Sequence, residues 1–490
     1  MGNSLWTSQS TEVCVVGAGP AGIVTALALG TAGRRVVLLE SGGVRSSTRA
    51  QELNKGDHEG EPYNGLAATR HRQIGGTANV WNVPLSGEAA VGAKYVPLTR
   101  RDLAAWPIGW NDLEPHYRRA QALCGLGPLE YGADYWARAG RRPFRLEGTG
   151  LTSGVYQFGS AQQFTAVLPS RLRGIEAVAL VPSTTVVELD VDRARRRACG
   201  VRAIADNGQR VEVQAQTVIL ACGAVENARL LLIAGLGGEG GPEWLGRGFM
   251  EHARDFSLLM IPDSPGLFAE ASFYDQHTTD GGLQIGGRLT LTDDALDSFR
   301  LPNAAMTLVP RRHSMGHRLV RRMLRPLGRT GGRYGWSRVR SPATAFDAFE
   351  IVLNFEQRPH RWNRIELGSR RDRFGNPLPR LVLAWTDEDQ QTLERLRDCL
   401  SEWFRRARLG RLQVTKGRRP DLNAHHHAGT TRMALDSREG VVDPHGRVFG
   451  LENLYVAGAS IFPTAGYANP TLTIVATALR LASHVNAALG

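Results

Sequence analysis

A chain of 490 residues at 42% hydrophobic content can bury a large core and ordinarily makes two domains. No stretch approaches the roughly 18 to 20 continuous apolar residues of a membrane span, and the start, Met-Gly-Asn-Ser-Leu-Trp-Thr, lacks the basic segment and apolar core of a secretory signal. The formal net charge of +12 is local, because residues 311–340 carry ten arginines and no acid, and nucleic-acid binding is excluded for want of interleaved aromatic residues or a recognition fold.

Taken in chain order, Val13-Cys-Val-Val16 reads as a buried strand, followed by Gly17-Ala-Gly19-Pro-Ala-Gly22 and a helical stretch over 23–32. The three glycines serve a tight turn, close backbone approach to a pyrophosphate, and tight packing of helix on strand, with the phosphates at the positive end of the helix. A second apolar run, Val36-Val-Leu-Leu39, ends in Glu40, 23 residues after Gly17, where a carboxylate receives a ribose hydroxyl and disfavours a 2′-phosphate. Downstream, Leu180 to Asp190 and Ala198 to Ile204 read as paired strands. Thr217-Val-Ile-Leu-Ala-Cys-Gly223 then runs a buried strand into a small-residue turn and a helix. A strand that returns to a nucleotide-binding sheet after so long an excursion is the layout of a flavoprotein.

The region beyond carries alternating runs, Gly282 to Leu291, Phe349 to Phe355 and Leu381 to Trp385, which signal antiparallel strands. Between the first two, Leu319, Val320, Met323, Leu324 and Leu327 recur at helical spacing among the arginines, which predicts an amphipathic surface helix with a solvated cationic face. An acidic partner or an anionic membrane surface is the alternative for residues 311–340. Thr386 to Arg406 reads as one helix with Leu393, Leu396, Leu400 and Trp403 on its apolar face. Five scattered cysteines, Cys14, Cys124, Cys199, Cys222 and Cys399, read as reduced thiols of a cytoplasmic protein.

The last sixth is the densest in functional residues: His425-His-His-Ala-Gly-Thr-Thr-Arg-Met433, then Val441-Val-Asp443, then Ala459 to Pro470 opening an apolar helix. Asn469 before Pro470 predicts a helix N-cap with proline at the first helical position. Consecutive histidines cannot easily converge on one ion, and no Cys or carboxylate is spaced to join them, so no metal site is expected. If the segment is extended, His425 and His427 point away from the side that His426 faces.

These residues carry a family resemblance. The glycine fingerprint, Arg72-Gln-Ile-Gly-Gly-Thr-Ala-Asn-Val-Trp81, Ala221-Cys-Gly-Ala-Val-Glu226, Gly246-Arg-Gly-Phe-Met-Glu-His252 and the whole C-terminal block are similar to the glucose-methanol-choline oxidoreductases, FAD enzymes that oxidise alcohols. Ala457-Gly-Ala-Ser460 and Gly466 to Thr473 resemble most the branch of pyranose oxidases, glycoside 3-oxidases and sugar dehydrogenases. The resemblance implies an α/β fold with a Rossmann-like FAD-binding domain over 1–85, 160–255 and 420–490. A second, substrate domain built on an antiparallel sheet is implied over 86–159 and 256–419. It implies cofactor contacts at Gly17, Gly19, Gly22, Glu40, Arg72, Gly75, Gly76, Thr77, Asn79, Val80, Val187, Ala221, Gly223, Gly458, Ala459, Asn469, Pro470 and Thr471.

Oxidising an unactivated alcohol moves a hydride to the flavin while the hydroxyl proton leaves, and a neutral imidazole suits the proton. Family members place a histidine three residues before a Gly-Thr pair, which here is His426, with Asn469 beside the substrate hydroxyl. Two departures matter. Gly458 replaces the family's more common Asp, and Val80 stands where covalent pyranose oxidases attach flavin to a histidine, so non-covalent FAD is implied. Trp81 is expected against the flavin edge or the substrate, and His252 either near the active site or as a satisfied core histidine. The implied substrate is a sugar, glycoside or other polyol, with oxygen or another electron acceptor. The alternatives are a secondary-metabolite alcohol such as an aminoglycoside hydroxyl, or an FAD-holding electron-transfer subunit.

Overall fold

The computed structural model describes residues 7–85, 91–192, 194, 196–237, 241–312, 335–339 and 341–490. Its first sheet is built from the most apolar runs of the chain. Val178–Val181, Val36–Leu39, Thr7–Val16 and Arg210–Leu220 lie side by side in parallel, and Leu454–Val456 adds to the end of Arg210–Leu220. Ala198–Ala205 and Thr184–Val191 continue the sheet antiparallel. Parallel strands buried on both faces require helices on those faces. The first helix, Pro20–Thr31, is accordingly buried almost all round and packs against the last, Thr471–Ala488.

The register of this sheet makes the site. Val16 pairs with Leu39 and with Leu220, and Leu220 pairs with Val456. Four strands therefore end at one level, and the residues that follow them, Gly17, Glu40, Ala221 and Ala457, open into one crevice at their carboxyl ends, where open α/β sheets bind ligands.

The second sheet is antiparallel throughout: Gly410–Val414, His252–Pro262, Phe346–Glu356, Ala304–Arg312, Gln284–Leu291, Leu151–Ser160, Val91–Tyr95 and Val83–Pro84, with Gln276–Thr278 on the flank of Gln284–Leu291. Helix Asp387–Arg406 covers it with the expected apolar face. It is capped by Thr386, whose Oγ1 accepts from the Asp389 N–H at 3.1 Å while Asp389 accepts from the Thr386 N–H at 2.9 Å. The buried side chains form two hydrophobic clusters, one centred on the first sheet but including Tyr95, Tyr156 and Phe158 of the second, the other centred on the second sheet and its covering helix.

Two segments fall elsewhere than the alternating pattern suggests. The run at Leu381 belongs to a separate three-stranded sheet, in which Pro377–Leu383 joins Arg364–Arg371 and runs parallel to Asp57–Gly60. Alternation reports a half-buried strand but not its partner. His252, inside a stretch grouped with the cofactor segments, starts a strand of the large antiparallel sheet. The amphipathic helix expected around Leu319 to Leu327 lies outside the described residues. Among the described residues no helix is long and apolar enough to cross a membrane.

Candidate active site

Backbone packing fixes the dinucleotide loop. Gly17 sits at φ +101, and a Cβ there would fall 2.7 Å from the Ala221 carbonyl oxygen, so glycine alone lets the two strand-end loops cross this closely. The Gly75 N–H donates to Ala18 O at 2.8 Å, tying the Gly75-Gly76 turn to the same loop, and Asn79 holds that turn by donating to Ile74 O and Gly76 O. Glu40 accepts the Ala18 and Gly42 N–H groups at 2.8 and 2.7 Å, so it shapes the loop as well as facing the crevice. Burial raises its pKa against the pull of those two N–H groups and of Arg72.

A cavity of about 540 Å³ runs from this loop to the C-terminal block. Gly17, Gly19, Glu40, Arg72, Gly76, Thr77, Val80, Val187, Ala221, Gly223, Gly458, Ala459, Asn469, Pro470 and Thr471 line it, together with His426. Gly22, Gly75 and Asn79 do not; they pack behind the lining. Trp81 also lines it, held edge-on by Tyr95 and Phe164. The fit to a dinucleotide is direct at Gly19. A Cβ there would have no neighbour nearer than Gly76 Cα at 4.0 Å, so the loop meets open cavity at the start of a helix, where N–H groups favour phosphate.

The cavity lining includes an ion cluster that the sequence does not announce. Glu226 is paired with Arg70, Arg72 and Arg229, and Arg229 reaches Asp372 at 2.6 Å. Burial alone would raise the Glu226 pKa, but Arg72, Arg229 and Arg70 outweigh it and hold the carboxylate well below its usual range. The only signal was Glu226 closing a family-like segment. Arg70 lies 156 residues from Glu226 along the chain, and Asp372 lies 143 residues from Arg229.

The three histidines of the same lining diverge. His425, at φ +62, turns outward towards Asn64. His427 turns inward to Glu251, at 3.2 Å, and to Tyr63, which donates to the same carboxylate. All three line the cavity, and His426, between the other two, has its backbone N–H donating to Glu251 Oε2 at 2.8 Å. Its ring stands 2.8 Å, Nδ1 to Nδ1, from His252. Burial pushes the His426 pKa well below the ordinary value, with His252 and Lys94 adding to the shift, and burial pushes His252 down to about 4. Both rings are therefore neutral near pH 7. Glu251, fully buried and holding two of the three histidine positions, and Tyr63 were not legible as site residues.

Asn469 corrects one expectation. The last helix begins at Thr471 with Pro470 as its cap, the Pro470 carbonyl accepting from the Ile474 N–H at 2.8 Å, and no side chain caps it. Asn469 stays one residue outside the helix and faces the cavity with His426; among the described residues none hydrogen-bonds its side chain.

Comparison with known proteins agrees with this architecture. Residues 165–254 and 359–478 match family models described as GMC oxidoreductase, and residues 10–59 match an FAD binding domain. The chain is 27% identical over 345 residues to 6'''-hydroxyparomomycin C oxidase of Streptomyces lividus, covering 67% of this chain and 56% of that protein. The chain thus spans little more than half the length of that relative. It is 37% identical over 120 residues to a C-glycoside 3-oxidase of Microbacterium trichothecenolyticum, covering 23% of this chain and 22% of that one. In fold it is similar to pyridoxine 4-oxidase from Mesorbium loti, with a TM-score of 0.61 at 17% identity over 97% of this chain and 99% of that one. With the strand-end crevice on one side and the histidine block on the other, the chain belongs to the GMC oxidoreductases, and its cofactor is FAD.

Proposed function

We propose that this protein oxidises a CH–OH group of a sugar, glycoside or other polyol to the carbonyl, with His426 as the proton acceptor. The observation that carries the reading is a neutral imidazole on the same cavity as an uncommitted Asn469, the cavity that begins at the dinucleotide loop. Bound FAD supplies the hydride acceptor. His426 takes the hydroxyl proton as the C–H bond gives up its electron pair, and Asn469 orients the hydroxyl by hydrogen bonding. The loop 17–22, the turn 75–80, Ala221, Gly458 and Ala459 hold the cofactor. The described residues of 1–85, 160–251 and 420–490 form most of its domain, and those of 86–159 with 252–419 form the substrate side. The relatives named for paromomycin-type and C-glycoside oxidation favour a glycosidic or aminoglycoside hydroxyl as the first class to test.

The test is anaerobic mixing of the yellow protein with sugars, glycosides, aminoglycosides and long-chain alcohols. Bleaching by a glycosidic polyol supports the reading, and bleaching by none of them overturns it. Admitting oxygen afterwards separates an oxidase, which recovers its colour at once, from a dehydrogenase that needs another acceptor. A cytoplasmic location is supported by the five cysteines, all unpaired. Docking of an acidic partner or an anionic membrane through residues 311–340 rests on the sequence, most of that segment lying outside the described residues; of its arginines, Arg311 is already paired with Asp347.

A further inference from the structure

Strand pairing brings His252 to His426. Met250 and Ala428 form an antiparallel bridge with two backbone hydrogen bonds of 3.0 and 3.1 Å. Two residues on from Met250 and two back from Ala428, His252 and His426 come opposite each other with their rings edge to face. A hydrogen bond between two neutral imidazoles needs one donor and one acceptor, and the surroundings of His252 decide which is which. Its Nε2 lies 3.3 Å from Ala465 O, which can only accept, so Nε2 carries the proton. A neutral His252 then has its lone pair on Nδ1, and the bond to His426 is completed only if His426 Nδ1 carries the proton.

That leaves His426 Nε2 unprotonated. Among the described residues Nε2 has no partner, and the ring lines the cavity. We propose that His252 is a positioning residue that holds His426 in the Nδ1–H tautomer, keeping the Nε2 lone pair aimed at the substrate hydroxyl; this rests on the reading of His426 as the base. The anchor of the chain is itself fixed. Ala465 O belongs to the peptide unit whose N–H, that of Gly466, donates to Glu356 Oε1 at 3.1 Å, and Glu356 is the cross-strand neighbour of His252. Both ends of one buried amide are thus held from adjacent positions of the same sheet, so the acceptor for His252 is not free to move. An imidazole without such a partner favours the Nε2–H form in water, which would turn a donor towards the hydroxyl and remove the base.

The test reads the tautomer directly. The holoprotein, with ring-15N histidine, is examined by long-range 1H–15N NMR near pH 7.5, His426 being assigned by loss of its signals in His426→Gln. The expected result is a proton-bearing Nδ1 and a bare Nε2. His252→Leu removes the acceptor and should shift His426 towards the Nε2–H form. It should also slow flavin reduction at saturating substrate roughly tenfold or more, part of the hundredfold or more that a general base contributes, with little change in KM. His252→Asn places Oδ1 where Nδ1 stood and should restore both. A parent His426 protonated on Nε2, or a tautomer unmoved by His252→Leu, overturns the proposal. Failure of His426→Ala to slow flavin reduction would instead overturn the base assignment, an outcome the NMR measurement does not depend on.

Discussion

Gly429 lies so close to Gly248 that a Cβ on it would fall 2.2 Å from the Gly248 carbonyl oxygen, and its φ of +88 suits no other residue. Its own N–H donates to Ala459 O, and Thr431 and Met433 continue the stitching to Ser460 and Ile461. The histidine block is therefore clamped between the large sheet and the cofactor crevice by backbone alone. Gly429→Ala should cost more than the roughly 1–2 kcal/mol of a left-handed alanine, because the chain must also part from Gly248. Thermal unfolding and retained FAD measure this. A variant with unchanged melting and full flavin content would show the contact to be slack.

The three histidines should separate by kind of damage. His426→Ala should leave FAD bound and slow flavin reduction by roughly a hundredfold or more. His425→Ala, at an exposed position, should change little. His427→Ala strands the buried Glu251, whose remaining side-chain partner there is Tyr63, so its loss should appear as instability before it appears as rate. Equal rate losses at all three with intact folding would assign the base wrongly.

What the sequence disclosed, and what it hid, follows from how each feature is encoded. Strand, turn, helix and terminal Glu at fixed spacing made the cofactor loop readable from 17 to 40, because those contacts are local and made by backbone. His426 was readable because a Gly-Thr pair follows it at set distance. Glu251 and Tyr63 were not, since their hydrogen bond joins residues 188 apart and polar burial leaves no periodic trace. The His252–His426 contact depends on one strand bridge, and the partner of Leu381 depends on topology. Asn469 was misread as a cap because Asn-Pro before an apolar run has the local pattern of one, while the helix here begins one residue later.

That correction sharpens the test at Asn469. With no capping bond to lose, Asn469→Ala should cost well under the ~1 kcal/mol of a removed N-cap while still slowing flavin reduction. Asn469→Asp adds a carboxylate beside the developing alkoxide and should slow it further. If Asn469→Ala lowers stability by that amount and rate falls only in proportion, the residue is structural.

Val80 faces the cavity and is 54% exposed, a position from which a side chain could reach the cofactor but where valine offers no nucleophile. Acid precipitation should accordingly release intact FAD into the supernatant. Flavin that stays with the pellet would require attachment through some other residue.

Glu356 supplies the last test, through pH. Burial and then the nearby Asp102 push its pKa up to about 7 against an ordinary 4.5, although the N–H groups of Gly466 and Ala465 pull the other way. The folded state therefore keeps a proton that the unfolded chain releases, and the stability this group contributes is lost as pH rises from 4.5 through 7. His252 acts in the opposite sense. Its pKa falls from 6.5 to about 4, so the unfolded chain gains a proton the folded one refuses, and stability is lost as pH falls through that window. Between pH 4.5 and 6.5 the two slopes oppose each other in the parent. Glu356→Gln keeps an acceptor for the Gly466 N–H and removes only the first slope. The variant should therefore be more stable than the parent at pH 8, by up to about 3 kcal/mol, and should lose that advantage steadily on acidification to pH 4.5. Denaturant unfolding across pH 4.5 to 8 measures the difference, and a gap between variant and parent that stays constant with pH would show that Glu356 ionises as an ordinary carboxylate.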